Sequence, residues 1–373
     1  MIVELVGVGT SNKGAELMFH AIVEQVRAMR SDAQFVVDPI SGPYAWRSAN
    51  GLLHLFDPAG SGRMGQVIAK LMHQGYRQRF GLVAPYEVDV ALGAEGYAYG
   101  DPWKPEWVEN AAARYEQRKK LGQTIILLPQ AFGPFENQRV RKATIRIVRS
   151  AKLVYARDQQ SFDFLREITD IEHLKLAPDF TNLLKGKVPD GWGRENGVAV
   201  VPNQKMISHS NNGRDVYVEL MAKAIDEVQS TGFNPFLLVH ETASDEKLAV
   251  VLKNRCSKEI EIVSNPDPLE LKGILGSCVY TIGSRFHGLV SALSQGIPSI
   301  GTSWSHKYHY LFRDYCVEDL LAGDSEAASM LTKLLADPIK RNRYAMRISS
   351  RSNSLMQAST SMWREVRTLF EDK

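Results

Sequence analysis

Arg285, His287 and Lys307 are the residues of this chain whose types and spacing best suit chemistry. The first two stand between an apolar run at 279–283 and a stretch with helical apolar spacing at Leu289, Val290 and Leu293, which stops at Gly296. A second apolar run at 297–300 completes a strand–helix–strand unit, and Lys307 follows it. In such units ligands lie beyond the carboxyl ends of the strands, where helix amino-termini offer unpaired N–H groups and a partial positive charge. Three potential cations at such a place fit a phosphorylated or carboxylated small molecule. A lone Arg at a helix start is commonly a solvated cap, and a lone His a satisfied core group. Their coincidence at one turn favours a site, because charged groups are rarely buried unpaired.

Other strand ends carry polar residues of interest. The loop Gly7-Val8-Gly9-Thr10-Ser11-Asn12-Lys13-Gly14-Ala15-Glu16 lacks the Gly-Lys-Ser/Thr of a phosphate loop and the third glycine of a dinucleotide fingerprint. It is either a tight turn capped by Ser11 or Asn12 or a wall of a ligand cleft formed by Asn12, Gly14 and Glu16. Pro129-Gln130-Ala131-Phe132-Gly133-Pro134 ends another apolar run, and Gln130 there suits a polyol as well as a turn. Arg157-Asp158 is a site candidate or a surface ion pair, and Asp179 a base or a turn former. His240-Glu241 end a further strand. No His/Cys/Asp/Glu spacing for a metal, no Gly-x-Ser-x-Gly turn and no basic–aromatic nucleic-acid module is present.

The elements that must position these residues alternate strand and helix. Strands are expected at 2–8, 33–37, 88–92, 124–128 and 153–156, with helices at 15–29, 112–120, 139–148 and from 160. The Gly-rich polar stretch 185–196 reads as a linker, after which strands at 198–201, 235–239 and 260–263 alternate with helices at 216–230 and 245–254. The expected division is an N-terminal domain 1–184, a linker 185–196, a C-terminal domain 197–345 and a helical segment 346–373 packing back on the first domain. At 373 residues the chain suits two domains, and a net charge of +3 is too weak to argue for nucleic acid. Cys256, Cys278 and Cys316 fit reduced, mostly buried thiols. No uncharged apolar run approaches the ~20 residues of a membrane span, so a cytoplasmic location is expected. Residues 63–80 mix apolar and basic side chains at helical spacing. They are expected either to pack on their own domain or to touch anionic lipid at the inner membrane face.

Taken in order, Asn12-Lys13-Gly14-Ala15-Glu16, Pro129-Gln130-Ala131-Phe132-Gly133-Pro134-Phe135, Arg157-Asp158-Gln159-Gln160-Ser161, Pro178-Asp179, Ser284-Arg285-Phe286-His287 and Lys307 resemble the polysaccharide pyruvyl transferase family. Ala15 stands where many relatives carry Asp, and Phe286 where Leu is commoner. The resemblance implies an α/β fold of two Rossmann-like domains facing a cleft (glycosyltransferase-B-like), with mostly parallel sheets. It also implies transfer of pyruvate from phosphoenolpyruvate to two hydroxyls of one sugar as a cyclic ketal, in polysaccharide biosynthesis. His287 is then the expected acid, with Glu16 or Asp179 as base, and Arg157, Ser284, Arg285 and Lys307 hold the donor. Asn12, Gly14 and Gln130 fall to a free or lipid-linked saccharide acceptor. Neither a cofactor nor a metal is implied. A nucleotide-sugar-dependent glycosyltransferase of the same fold, or a non-catalytic saccharide-binding relative, is the competing expectation.

Overall fold

The computed structural model describes residues 1–57, 67–68, 71–209, 213–241, 243–302 and 306–371. These form two compact units. Unit 1 holds Met1–Ser11, Met18–Phe180 and Ala358–Lys373; unit 2 holds Asn12–Leu17 and Thr181–Gln357.

Unit 1 is built on strands β1 (Ile2–Val6), β2 (Gln34–Val37), β3 (Leu53–Leu55), β4 (Leu82–Val83), β5 (Val90–Gly93), β6 (Tyr97–Tyr99), β7 (Thr124–Phe132), β8 (Leu153–Ala156) and β9 (Leu174–Leu176). All pair in parallel in the order β4-β3-β2-β1-β5-β7-β8-β9, with β6 beside the end of β7. Helices α1 (Lys13–Met29), α2 (Tyr44–Ala49), α3 (Gln74–Arg79), α4 (Pro105–Lys120), α5 (Gln138–Ser150) and α6 (Gln159–Ile168) connect them. β7 is buried along its whole length, as befits a central strand covered on both faces. Because strand order reverses between β1 and β5, their carboxyl ends form the unit's topological switch point.

Unit 2 repeats the logic with β10 (Gly197–Val201), β11 (Asn234–Val239), β12 (Glu261–Ser264), β13 (Tyr280–Gly283) and β14 (Ser299–Gly301), in the parallel order β12-β11-β10-β13-β14. Its helices are α7 (Lys205–His209), α8 (Gly213–Ser230), α9 (Ala243–Arg255), α10 (Pro268–Gly276), α11 (Phe286–Leu293), α12 (His306–Asp314), α13 (Ser325–Ala336) and α14 (Pro338–Glu371). The switch point lies between β10 and β13.

Several boundaries depart from the sequence expectation. The units divide at Phe180/Thr181, and the stretch expected to be a linker belongs to unit 2. There the Lys187 amide donates to the Leu269 carbonyl at 2.9 Å, and Trp192 Nε1 donates to Ser277 Oγ at 3.0 Å. A Cβ on Gly273 would lie 2.1 Å from the Lys187 oxygen, so α10 and this loop touch backbone to backbone. The last helix is one continuous α14, grouped with unit 2 up to Gln357 and with unit 1 from Ala358. Cys278 is buried, whereas Cys316 is exposed rather than buried. Burial pushes the Cys256 thiol up to about 11 and that of Cys278 up to about 12.

Among the described residues, no helix is long and apolar enough to cross a membrane. Of the expected amphipathic segment 63–80, residues 63–66 and 69–70 lie outside the described residues. Arg77, one of its expected lipid-facing cations, is instead buried, bonding Glu87 and donating to Tyr86 Oη at 3.0 Å.

Candidate functional site

Polar side chains converge at the switch point of unit 2. β13 ends at Gly283, Ser284 is fully buried, and Arg285 occupies the N-cap position of α11 without a side-chain cap bond. The Arg285 guanidinium is fixed by acids from the β11–α9 connection. Its Nε donates to Asp245 Oδ2 at 2.8 Å, its Nη2 to Asp245 Oδ1, and its Nη1 contacts Glu241. Such a fork-to-carboxylate pair sets orientation as well as charge. His287 lies in the first turn of α11, where backbone N–H groups remain unpaired within the helix.

The amino-terminal loop completes this cluster. Residues 12–17 group with unit 2, although the rest of α1 belongs to unit 1. Asn12 caps α1 by accepting from the Ala15 amide at 2.8 Å. Gly14 packs directly on the imidazole: a Cβ there would lie 2.1 Å from His287 Nδ1. Lys13 bonds Glu16 at 2.7 Å and also reaches the Pro266 carbonyl. The sequence Asn-Lys-Gly-Ala-Glu therefore has a spatial reason. The cap starts the helix, glycine admits the histidine, and the Lys–Glu pair adds charges of both signs.

His240, which follows β11, is buried near these groups. Its Cδ2 lies 3.4 Å from where a Cβ on Gly288 would stand. Burial, and then the charges of Arg285, His287 and Lys13, lower its pKa to about 3, so the ring stays neutral. Its Nε2 has no hydrogen-bond partner among the described residues. Lys307 of α12 lies over the rings of Phe286 at 5.4 Å and Tyr308 at 5.6 Å. The Phe that replaces the commoner Leu thus supplies a cation–π surface. Ser284 bonds Tyr217 Oη at 2.7 Å and Thr302 Oγ1 at 2.5 Å, while its carbonyl accepts from Asn203 and Tyr308. Its hydroxyl is engaged inside the unit, where it fixes the turn that presents Arg285.

The remaining expected residues lie in unit 1. Gln130, at the carboxyl end of β7, is fully buried, and neither its amide oxygen nor its nitrogen has a partner among the described residues. Arg157 donates to Asp179 Oδ2 at 3.2 Å, both side chains being buried. Asp158 does not pair with Arg157 on the surface; it caps α6 by accepting from the Ser161 amide at 2.8 Å. Sequence inspection passed over Glu95, which follows β5 at the unit's switch point. Its carboxyl accepts from Tyr115 Oη at 2.7 Å and bonds Tyr99 Oη, and burial raises its pKa. A carboxylate in the stretch Gly93-Ala94-Glu95-Gly96 after an apolar strand was the available signal. Asp245 was also missed, being read only as the start of a helix. Among the described residues, no group of three or more His, Cys, Asp or Glu could hold a metal.

A family model described as polysaccharide pyruvyl transferase matches residues 12–306. Among solved structures, a putative UDP-N-acetylglucosamine 2-epimerase from Listeria monocytogenes is similar at 11% identity and a TM-score of 0.62, covering 100% of this chain and 97% of its own. The Anabaena protein HepE, solved with UDP-glucose, is similar at 13% identity and a TM-score of 0.60, with 100% of both chains covered. The glycosyltransferase SnogD from Streptomyces nogalater is similar at 13% identity and a TM-score of 0.57, covering 99% of this chain and 100% of its own. At these identities the likeness concerns the fold, which is of the glycosyltransferase-B type.

Proposed function

The chain belongs to the polysaccharide pyruvyl transferase family, and we propose on that basis that it moves pyruvate from phosphoenolpyruvate to two hydroxyls of one saccharide, closing a cyclic ketal. The observation that carries the proposal is the family match over residues 12–306, which takes in Arg285 and His287 at the unit 2 switch point. Phosphoenolpyruvate offers a carboxylate and a phosphate; Arg285 and Lys307 are assigned to them. Arg157 is assigned to the donor as well, an assignment that Arg157→Ala tests separately.

In the proposed reaction His287 gives its proton to the methylene carbon, leaving a cationic centre at C2. One sugar hydroxyl attacks C2 and loses its proton to a base. The C2–O bond to phosphate then breaks, the phosphate taking the proton held by the base, and the second hydroxyl closes the ketal as its proton returns to His287. Glu16 is favoured over Asp179 as that base, because residues 12–17 group with the unit that carries His287. His240, neutral and with Nε2 unpartnered among the described residues, is suited to receive a hydrogen bond from a sugar hydroxyl. Gln130 is assigned to the acceptor, and Asn12 and Gly14 support the His287 side of the site. Incubation with phosphoenolpyruvate and a panel of methyl glycosides tests the reaction. Phosphate release that depends on a glycoside supports it; release of nucleotide from nucleotide sugars, without phosphate from phosphoenolpyruvate, supports a glycosyltransferase instead.

A further inference from the structure

Four aromatic rings of unit 1 form a ladder that runs from its core to solvent beyond the carboxyl end of β6. Phe132 and Tyr99, both fully buried, stack with centroids 6.1 Å apart and planes at 26°. Tyr99 stacks on Trp107 at 6.4 Å and 29°, and Trp107 on Trp103 at 5.4 Å and 30°. There the ladder ends, with Trp107 46% and Trp103 38% exposed. The loop carrying Trp103 is tied down. Its Asp101 amide donates to the Pro134 carbonyl at 3.1 Å, and the Asp101 carboxylate accepts from the amides of Glu136 at 2.7 Å and Asn137 at 3.1 Å. A Cβ on Gly100 would lie 2.3 Å from the Gly133 oxygen, so the loops after β6 and β7 touch backbone to backbone. Where α4 begins, Arg139 donates from Nη1 to Glu106 at 2.7 Å and from Nε and Nη2 to Glu109 at 2.9 and 2.7 Å.

We propose that Trp103, backed by Trp107, is a stacking platform for a pyranose unit of the acceptor, one that lies along the chain from the unit receiving pyruvate. The inference rests on the pyruvyl-transfer reading and makes its acceptor an oligosaccharide or a longer chain. Indole rings left in water cost free energy, and rings already fixed by stacking lose little freedom when a ligand covers them. The negative face of an indole suits the C–H face of a pyranose, and the carboxylates of Glu106 and Glu109 keep lone pairs for its hydroxyls. A nucleobase would stack as well, but it brings phosphates, and the Arg139 guanidinium is already held by two carboxylates. Position favours the acceptor. β6 pairs with the end of β7, Tyr97 opposite Ala131 and Tyr99 opposite Phe132, so the ladder starts beside Gln130, the residue assigned to the acceptor.

Calorimetric titration with cellotetraose, maltotetraose and chitotetraose, each beside its monosaccharide, tests the platform without the reaction. At least one tetrasaccharide is expected to bind roughly tenfold or more tighter than its monosaccharide, an advantage that Trp103→Ala removes and Trp103→Tyr largely keeps. Circular dichroism checks both for the native fold; should Trp103→Ala fail to fold, Trp103→Leu, which keeps bulk without the ring, takes its place. For a methyl glycoside that is turned over, Trp103→Ala should leave kcat and KM unchanged, whereas for an oligosaccharide ending in the same sugar it should raise KM alone. Tetrasaccharide binding of this kind without any consumption of phosphoenolpyruvate overturns the pyruvyl-transfer reading but not the platform. No tetrasaccharide advantage, an advantage unchanged in Trp103→Ala, or a dimer in solution that Trp103→Ala dissociates overturns the platform.

Discussion

Gly14 and His287 are far apart in the chain yet so close in space that the glycine has no room for a methyl group. Gly14→Ala must therefore displace the imidazole, and turnover is expected to fall nearly as far as in His287→Gln. An acid supplies roughly 10²- to 10⁴-fold, so both variants should lose about that much while remaining folded. A steady-state assay of phosphate release checks this; near-normal turnover in His287→Gln removes the histidine from the chemistry. The residues themselves were legible in the sequence, because Arg, His and Lys at a helix start are conspicuous. Their pairing was not: Glu241 was legible only as a strand end, and Asp245 only as a helix start. Asp245 and Glu241, which fix Arg285, arrive from a different strand–helix connection, and only tertiary structure brings them to it.

At the scale of elements, α11 and α12 meet through Phe286, whose ring lies beneath the Lys307 ammonium. Replacing that ring in Phe286→Leu removes a cation–π contact of about 0.5–1 kcal/mol. The expected result is a two- to fivefold rise, roughly, in KM for phosphoenolpyruvate with little change in kcat. A fall in kcat alone would instead connect the ring to His287, which it meets edge-on at 5.5 Å. Elsewhere, Gly273 lets α10 touch the segment around Lys187. Gly273→Ala should destabilise unit 2 by about 1–3 kcal/mol through overpacking, visible as a lower melting temperature. That contact shows why 185–196 looked like a linker: its composition is that of a loop, and composition does not reveal that a loop is strapped to a helix. The apolar run 124–128 and amphipathic helices such as α8 were legible from periodicity, although β7 continues to Phe132 through the prolyl stretch that reads as a turn. Short strands such as β3, β4 and β9 were not, because two or three residues carry no period.

Across the whole molecule, the two-unit α/β architecture followed from alternating strands and helices, but the grouping of residues 12–17 with unit 2 had no local signal. One global consequence is pH dependence. The pKa of His240 is about 3 in the fold against 6.5 for the free side chain. Between those values the unfolded chain takes up a proton that the native ring refuses. This contribution to stability is therefore full above about pH 6.5 and lost as pH falls toward about 3, by up to roughly 1.4 kcal/mol per unit. Urea unfolding across that range should show a shallower slope in His240→Gln; parallel curves would mean that the ring is not held neutral. The most direct measurement of the central claim is the reaction in D₂O with phosphoenolpyruvate and a saccharide acceptor from the methyl glycoside panel, followed by NMR of the product. Protonation at the methylene carbon predicts one deuterium in the methyl group of a saccharide-linked ketal, with one phosphate released per ketal. A product whose methyl group carries no deuterium, or the absence of any ketal with every glycoside while nucleotide sugars are consumed, would contradict it.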